Sequence, residues 1–180
     1  MNRKQNGFSL IELLIVVAII LIIAAIAIPN LLRAKIAANQ ASAVGSLRTI
    51  TSAEETFSST YSDGFTKTLG QLGGVAGAVA SCANAQLIDD VLSAAGAGNT
   101  ANKSGYTFTF TPGTVAALTA GIPAACPGSG FTSFSVSSVP VTTSSGTASY
   151  CVDESGVVRV DSAGGGMAGV CSATGKPPLQ

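Results

Sequence analysis

The stretch that decides the fold reads Lys4-Gln5-Asn6-Gly7-Phe8-Ser9-Leu10-Ile11-Glu12-Leu13-Leu14, and it continues as an apolar run to Ile28, where Pro29 follows. From Phe8 to Ile28 there are 21 residues, and only Ser9 and Glu12 are polar. At ~1.5 Å rise per residue such a helix spans roughly 30 Å, enough for the hydrocarbon core of a bilayer. Arg3 and Lys4 place positive charge before it, which orients the N-terminus to the cytoplasm. Glu12 is the anomaly. A carboxylate inside an apolar run costs ~2.5–3.5 kcal/mol at a helix centre, so it demands a role.

Three readings of this segment compete. A secretory signal peptide would use Leu13 to Ile28 as its apolar core and cut after Ala25-Ile26-Ala27. That core is long for the purpose, and Pro29 would fall just beyond the cut. A plain single-pass anchor explains the span and the charge but not Glu12. The third reading accounts for every feature. A short basic leader ending in Gly7, then Phe8, Glu12 four residues on, and Pro29 strongly resembles the class III signal of type IV pilins and of the pseudopilins of type II secretion. The strict motif covers residues 3–29.

That resemblance carries expectations. A membrane-embedded prepilin peptidase and N-methyltransferase would cut after Gly7 and methylate the amine of Phe8. Loss of Arg3 and Lys4 would leave acidic side chains two in excess. The apolar helix would serve first as an inner-membrane anchor among lipid, later as filament core, with an inner-membrane assembly platform joining the two. Glu12 of one subunit would meet the Phe8 amine of a neighbour and set axial register, as buried polar pairs do in coiled coils. The product would be a homopolymer, either an extracellular pilus or, as the alternative, the short periplasmic pseudopilus of a type II secretion system.

Beyond Pro29 the helical spacing resumes at Leu31, Leu32, Ile36, Val44, Leu47, Ile50 and Phe57, with Arg33, Lys35, Arg48, Glu54 and Glu55 between them. One helix is expected from about 9 to 61, ended by Ser62-Asp63-Gly64 and kinked at Pro29, which removes a backbone donor. Residues 8–28 are its apolar half and 29–61 its amphipathic half. Residues 62–103 form a connecting region with a short helix at Ala85 to Leu92. Residues 104–180 carry period-two segments at Tyr106 to Phe110, Phe134 to Ser137, Ala148 to Val152 and Val157 to Val160, the last two joined through Asp153-Glu154-Ser155-Gly156. The expected class is α+β: a pilin fold, with the long helix laid on a small antiparallel sheet of about four strands.

Composition narrows the chemistry. The chain has 180 residues, 9 basic and 9 acidic, and no histidine. Without imidazole there is no Ser-His-Asp triad, Cys-His dyad or His-ligated metal. Zero net charge gives no nucleic-acid footprint. No enzyme activity and no cofactor are expected. Calcium would have to draw on Asp153, Glu154, Ser155 and Asp161, and a solvated turn is the plainer reading. The four cysteines, Cys82, Cys126, Cys151 and Cys171, lie in a segment read as exported, where disulfides persist. Three pairings are open. Cys151 before a hairpin and Cys171 after its Gly-rich return favour Cys151–Cys171, which leaves Cys82–Cys126. An anchored binding module that never polymerises is the rival from another class.

Overall fold

The computed structural model describes residues 9–61, 64–74, 79–93, 98–114, 130–162, 164, 171 and 177–179. The order is α1 (Leu10–Tyr61), α2 (Leu69–Leu72), β1 (Thr100–Lys103), β2 (Tyr106–Pro112), β3 (Phe134–Pro140), β4 (Ser149–Asp153) and β5 (Arg159–Asp161). The chain divides into two compact units, Met1–Lys35 and Ile36–Gln180.

In the first unit the helix passes through Pro29 without ending. The apolar residues of Leu10 to Ile28 bury nothing: Leu10 is 80% exposed and Ile28 65%.

In the second unit Ala43, Leu47, Ile50, the adjacent Ala53 and Glu54, and Phe57 follow one another at three- to four-residue steps and are all buried. They form one stripe, as a 3.6-residue period requires. That stripe shares a core with Tyr106, Phe108 and Phe110 of β2, Phe134 and Val136 of β3, and Tyr150 and Val152 of β4. Aromatic contacts knit it together: Phe110 stacks on Phe134 at 6.1 Å, and Phe65 meets Phe134 edge-on at 4.8 Å. Burying each such side chain stabilises the fold by roughly 1.5–3 kcal/mol. Polar side chains complete the docking. Asn39 donates to the Ser145 carbonyl at 3.0 Å, and Gln40 to the Thr147 hydroxyl at 3.1 Å.

The sheet is an antiparallel meander in the order β1-β2-β3-β4-β5. It has five strands rather than about four. The added strand, β1, lies at the end of the region expected to be connecting chain. Its turn is Ser104-Gly105, both at positive φ (50° and 74°), the backbone a two-residue hairpin needs. The fifth strand is Arg159–Asp161, slightly beyond Val157 to Val160 as expected. Residues 177–179 close its outer edge: Val160 donates to the Pro177 carbonyl at 3.2 Å and Leu179 to that of Val158 at 2.8 Å.

The expected helix at Ala85 to Leu92 is absent; this segment is extended and then turns. Its backbone donors are spent elsewhere. Ala85, Gln86 and Leu87 donate to the carbonyls of Gln71, Gly73 and Leu72 at 2.8, 2.8 and 2.7 Å. Gln86 stands at φ 57°, outside a right-handed helix. The short helix of this region is α2 instead.

Candidate functional site

The first turn of α1 begins at Ser9. Its carbonyl accepts the Leu13 N–H at 3.2 Å, and its own N–H donates to the Glu12 carboxylate at 3.0 Å. Ser9-x-x-Glu12 is half of a capping box, in which the third helical residue reaches back to the N-cap amide. The spacing is legible in the sequence, where Glu12 drew attention only for its charge. Gly7 and Phe8, the expected processing junction, lie outside the described residues.

From this turn onward the helix is apolar on all sides. It is long and apolar enough to cross a membrane, and the most apolar window is wholly unburied. Ala18, Ala24, Ala25 and Ala27 break the bulk of Leu, Ile and Val along it and let another helix approach closely. Pro29 leaves the Ala25 carbonyl without its intrahelical donor. Arg33 and Lys35 follow, both exposed.

The other residues singled out from sequence fall in the second unit. Cys151 and Cys171 are joined, with Cα atoms 5.8 Å apart, and form a small buried cluster of their own. Period two sets Cys151 on the face of β4 opposite Tyr150 and Val152. Cys82 is buried and disulfide-bonded. Its expected partner, Cys126, lies outside the described residues.

Of the residues weighed as calcium ligands, Asp161 stands apart from Asp153, Glu154 and Ser155. Asp153 ends β4 opposite Ser135, whereas Asp161 pairs with Ser149 at the other end of that strand, roughly 13 Å along it. Asp153 is buried and accepts both the backbone N–H of Ser155, at 3.0 Å, and the Ser155 hydroxyl. Glu154 is exposed at the turn. Among the described residues no three acidic or cysteine side chains cluster to hold a metal. Asp89 of the Asp89-Asp90 pair bonds Lys103 at 2.5 Å and caps the Leu92 N–H at 2.8 Å. Burial pushes its carboxyl up, but Lys103 and the backbone donors outweigh this and hold it below the usual range.

Glu54 departs from expectation most. It stands among the charges between apolar positions, yet it is 0% exposed. Its carboxylate accepts the Thr66 N–H at 2.9 Å and the Thr66 hydroxyl at 2.5 Å. The spacing Leu47, Ile50, Glu54, Phe57 places it in the buried stripe, and that spacing could have found it.

Residues 2–28 match the family model described as the prokaryotic N-terminal methylation motif. The chain is 46% identical over 65 residues to the type IV major pilin protein PilA of Myxococcus xanthus, covering 34% of this chain and 30% of that one. It is 65% identical over 37 residues to the type IV wide pilus major component PilA4 of Thermus thermophilus, covering 21% of this chain and 28% of that one. The matches thus span under a third of the length of either relative. No solved structure matches the chain closely enough to count as a relative. Over its methylation motif and these matched stretches the chain is similar to type IV pilins.

Proposed function

We propose that this chain is a structural subunit, processed between Gly7 and Phe8, that polymerises through its N-terminal helix into an extracellular pilus. The observation that carries the reading is the bare apolar surface of Leu10 to Ile28. At ~25 cal/mol per Å² of apolar area, a helix exposed on every side cannot remain in water. Lipid covers it before assembly, and copies of the same helix cover it in a filament.

Glu12 makes the second environment specific. Moved into a helix bundle, its carboxylate loses lipid headgroups and water, and an unpaired charge there is very unfavourable. Cleavage after Gly7 creates the complementary charge, the Phe8 amine, at the same helix end. The naming of one relative as a type IV major pilin and of the other as a wide pilus major component supports a pilus over the pseudopilus alternative.

Cysteines placed at both Ala18 and Ala25, too far apart along one helix to bond each other, test the packing. In assembling cells, oxidation is expected to give a ladder of dimers and higher species from the full-length chain. A monomer band alone, with the protein inserted and folded, would favour the anchored module that never polymerises.

A further inference from the structure

The assembly account has no use for Glu54, and its surroundings give it another. It sits at 0% exposure on the α1 face that otherwise presents Leu47, Ile50 and Phe57. One buried residue, Thr66, supplies both hydrogen bonds to its carboxylate. Among the described residues no cation completes the set. Arg48 and Glu55 on the helix, and Lys67 beside Thr66, are exposed. On the sheet, Lys103 is paired with Asp89 and Asp153 is held by Ser155. An ionised Glu54 is therefore hydrogen-bonded but has no counter-charge among the described residues. A neutral Glu54 still accepts the Thr66 N–H and shares its proton with the Thr66 hydroxyl. Burial pushes the Glu54 carboxyl up to about 7, and the two Thr66 bonds only partly offset this.

The pair stands where the chain returns from the end of α1. Gly64 takes φ +74°, and a Cβ there would lie 2.6 Å from the Phe131 carbonyl oxygen. Phe65 then exchanges backbone bonds with Phe131, at 2.8 and 3.2 Å. Thr66 follows and closes on Glu54. We propose that Glu54 and Thr66 form a pH-sensitive latch, which fastens the returning segment Gly64–Phe65–Thr66 to α1 while Glu54 is protonated and loosens when it ionises.

The sign follows from proton linkage. The folded chain keeps a proton that the unfolded chain releases near the ordinary carboxyl value of 4.5. The stabilisation is complete below that pH, declines as pH rises, and is lost above about 7. Asp89, held below its ordinary range, runs the other way.

The test uses the full chain in detergent micelles and does not depend on filament formation. A carboxyl-carbon titration by NMR is expected to place the Glu54 midpoint near 7; a midpoint near 4.5 overturns the latch. Opening of the Phe65 and Thr66 amides, from hydrogen exchange corrected for intrinsic rates, should rise at least ~10-fold across that window in the wild type. In Glu54→Gln it should stay flat. Thr66→Val, which removes a bond favouring the ionised form, should move the midpoint upward. Exchange in Glu54→Gln that tracks the wild type, or an unmoved midpoint in Thr66→Val, contradicts the proposal. Should Glu54→Gln not fold, the wild-type titration decides alone.

Discussion

The Glu12 carboxylate is held by the backbone N–H of Ser9 at 3.0 Å, so the one acidic side chain of the apolar segment is already aimed at the helix N-terminus. The Phe8 nitrogen is one residue away along the chain. Glu12→Ala removes a polar group from an apolar run, so membrane insertion should be unchanged or better. It also leaves the Phe8 amine unpaired once buried, so filament yield from a strain making only this variant should drop at least ~10-fold, the effect of about 1.4 kcal/mol per subunit contact. Membrane fractionation and filament counts check both halves. Wild-type filament numbers would contradict the role given to Glu12.

Processing has a direct chemical signature. Intact mass and N-terminal sequencing of membrane-extracted protein should give a chain that starts at Phe8 and bears one methyl group. A chain that starts at Ile28 would establish the secretory-signal reading instead.

Peptide mapping without reduction should recover Cys151 linked to Cys171, and Cys82 linked to Cys126. A Cys82–Cys151 or Cys126–Cys171 peptide would refute that pairing. The Cys151–Cys171 bridge closes a separation of 20 residues, for which chain entropy gives about 3 kcal/mol. Replacing both cysteines by serine should lower the unfolding free energy by about that amount, measured by denaturant titration.

Tyr106 and Gly146 are a fitted pair. The buried Tyr106 hydroxyl donates to the Ala148 carbonyl at 2.9 Å, and a Cβ on Gly146 would stand 2.0 Å from that hydroxyl oxygen. Burial, with Tyr150 beside it, pushes the phenol up to about 12, so it stays a donor at physiological pH. Gly146→Ala should destabilise by ~1–3 kcal/mol through overpacking, and Tyr106→Phe by about 1 kcal/mol. Because the clash is partly with the hydroxyl, the double variant should lose less than the sum of the two. Additive losses would show that the loop moves aside instead.

What could be read from the sequence follows the strength of each period. The buried stripe through Leu47, Ile50 and Phe57, and the alternation at Tyr106, Phe108 and Phe110, each declare one face, and both stand in the fold. β1 was hidden because Thr100-Ala101-Asn102-Lys103 has little strand preference; its pairing with β2 and the Ser104-Gly105 turn decide it. Ala85 to Leu92 has helical spacing, yet tertiary hydrogen bonds to Gln71, Leu72 and Gly73 override local preference there. Residue type gives no sign of the burial of Glu54, but position does: a carboxylate at a core register goes inside when Thr66 comes to meet it. At the candidate site, the apolar span and the Ser9–Glu12 spacing were legible, since their signal is linear spacing. The metal ligands suggested by Asp153 and Asp161 were not testable that way, because strand register alone sets them apart.

The central claim is polymerisation of this chain into a surface filament. Electron microscopy of filaments sheared from producing cells, with mass spectrometry of their subunit, tests it most directly. The account predicts thin helical filaments built from a single protein that begins at methylated Phe8. Cells that process and insert the protein yet shed no filament containing it would contradict the account.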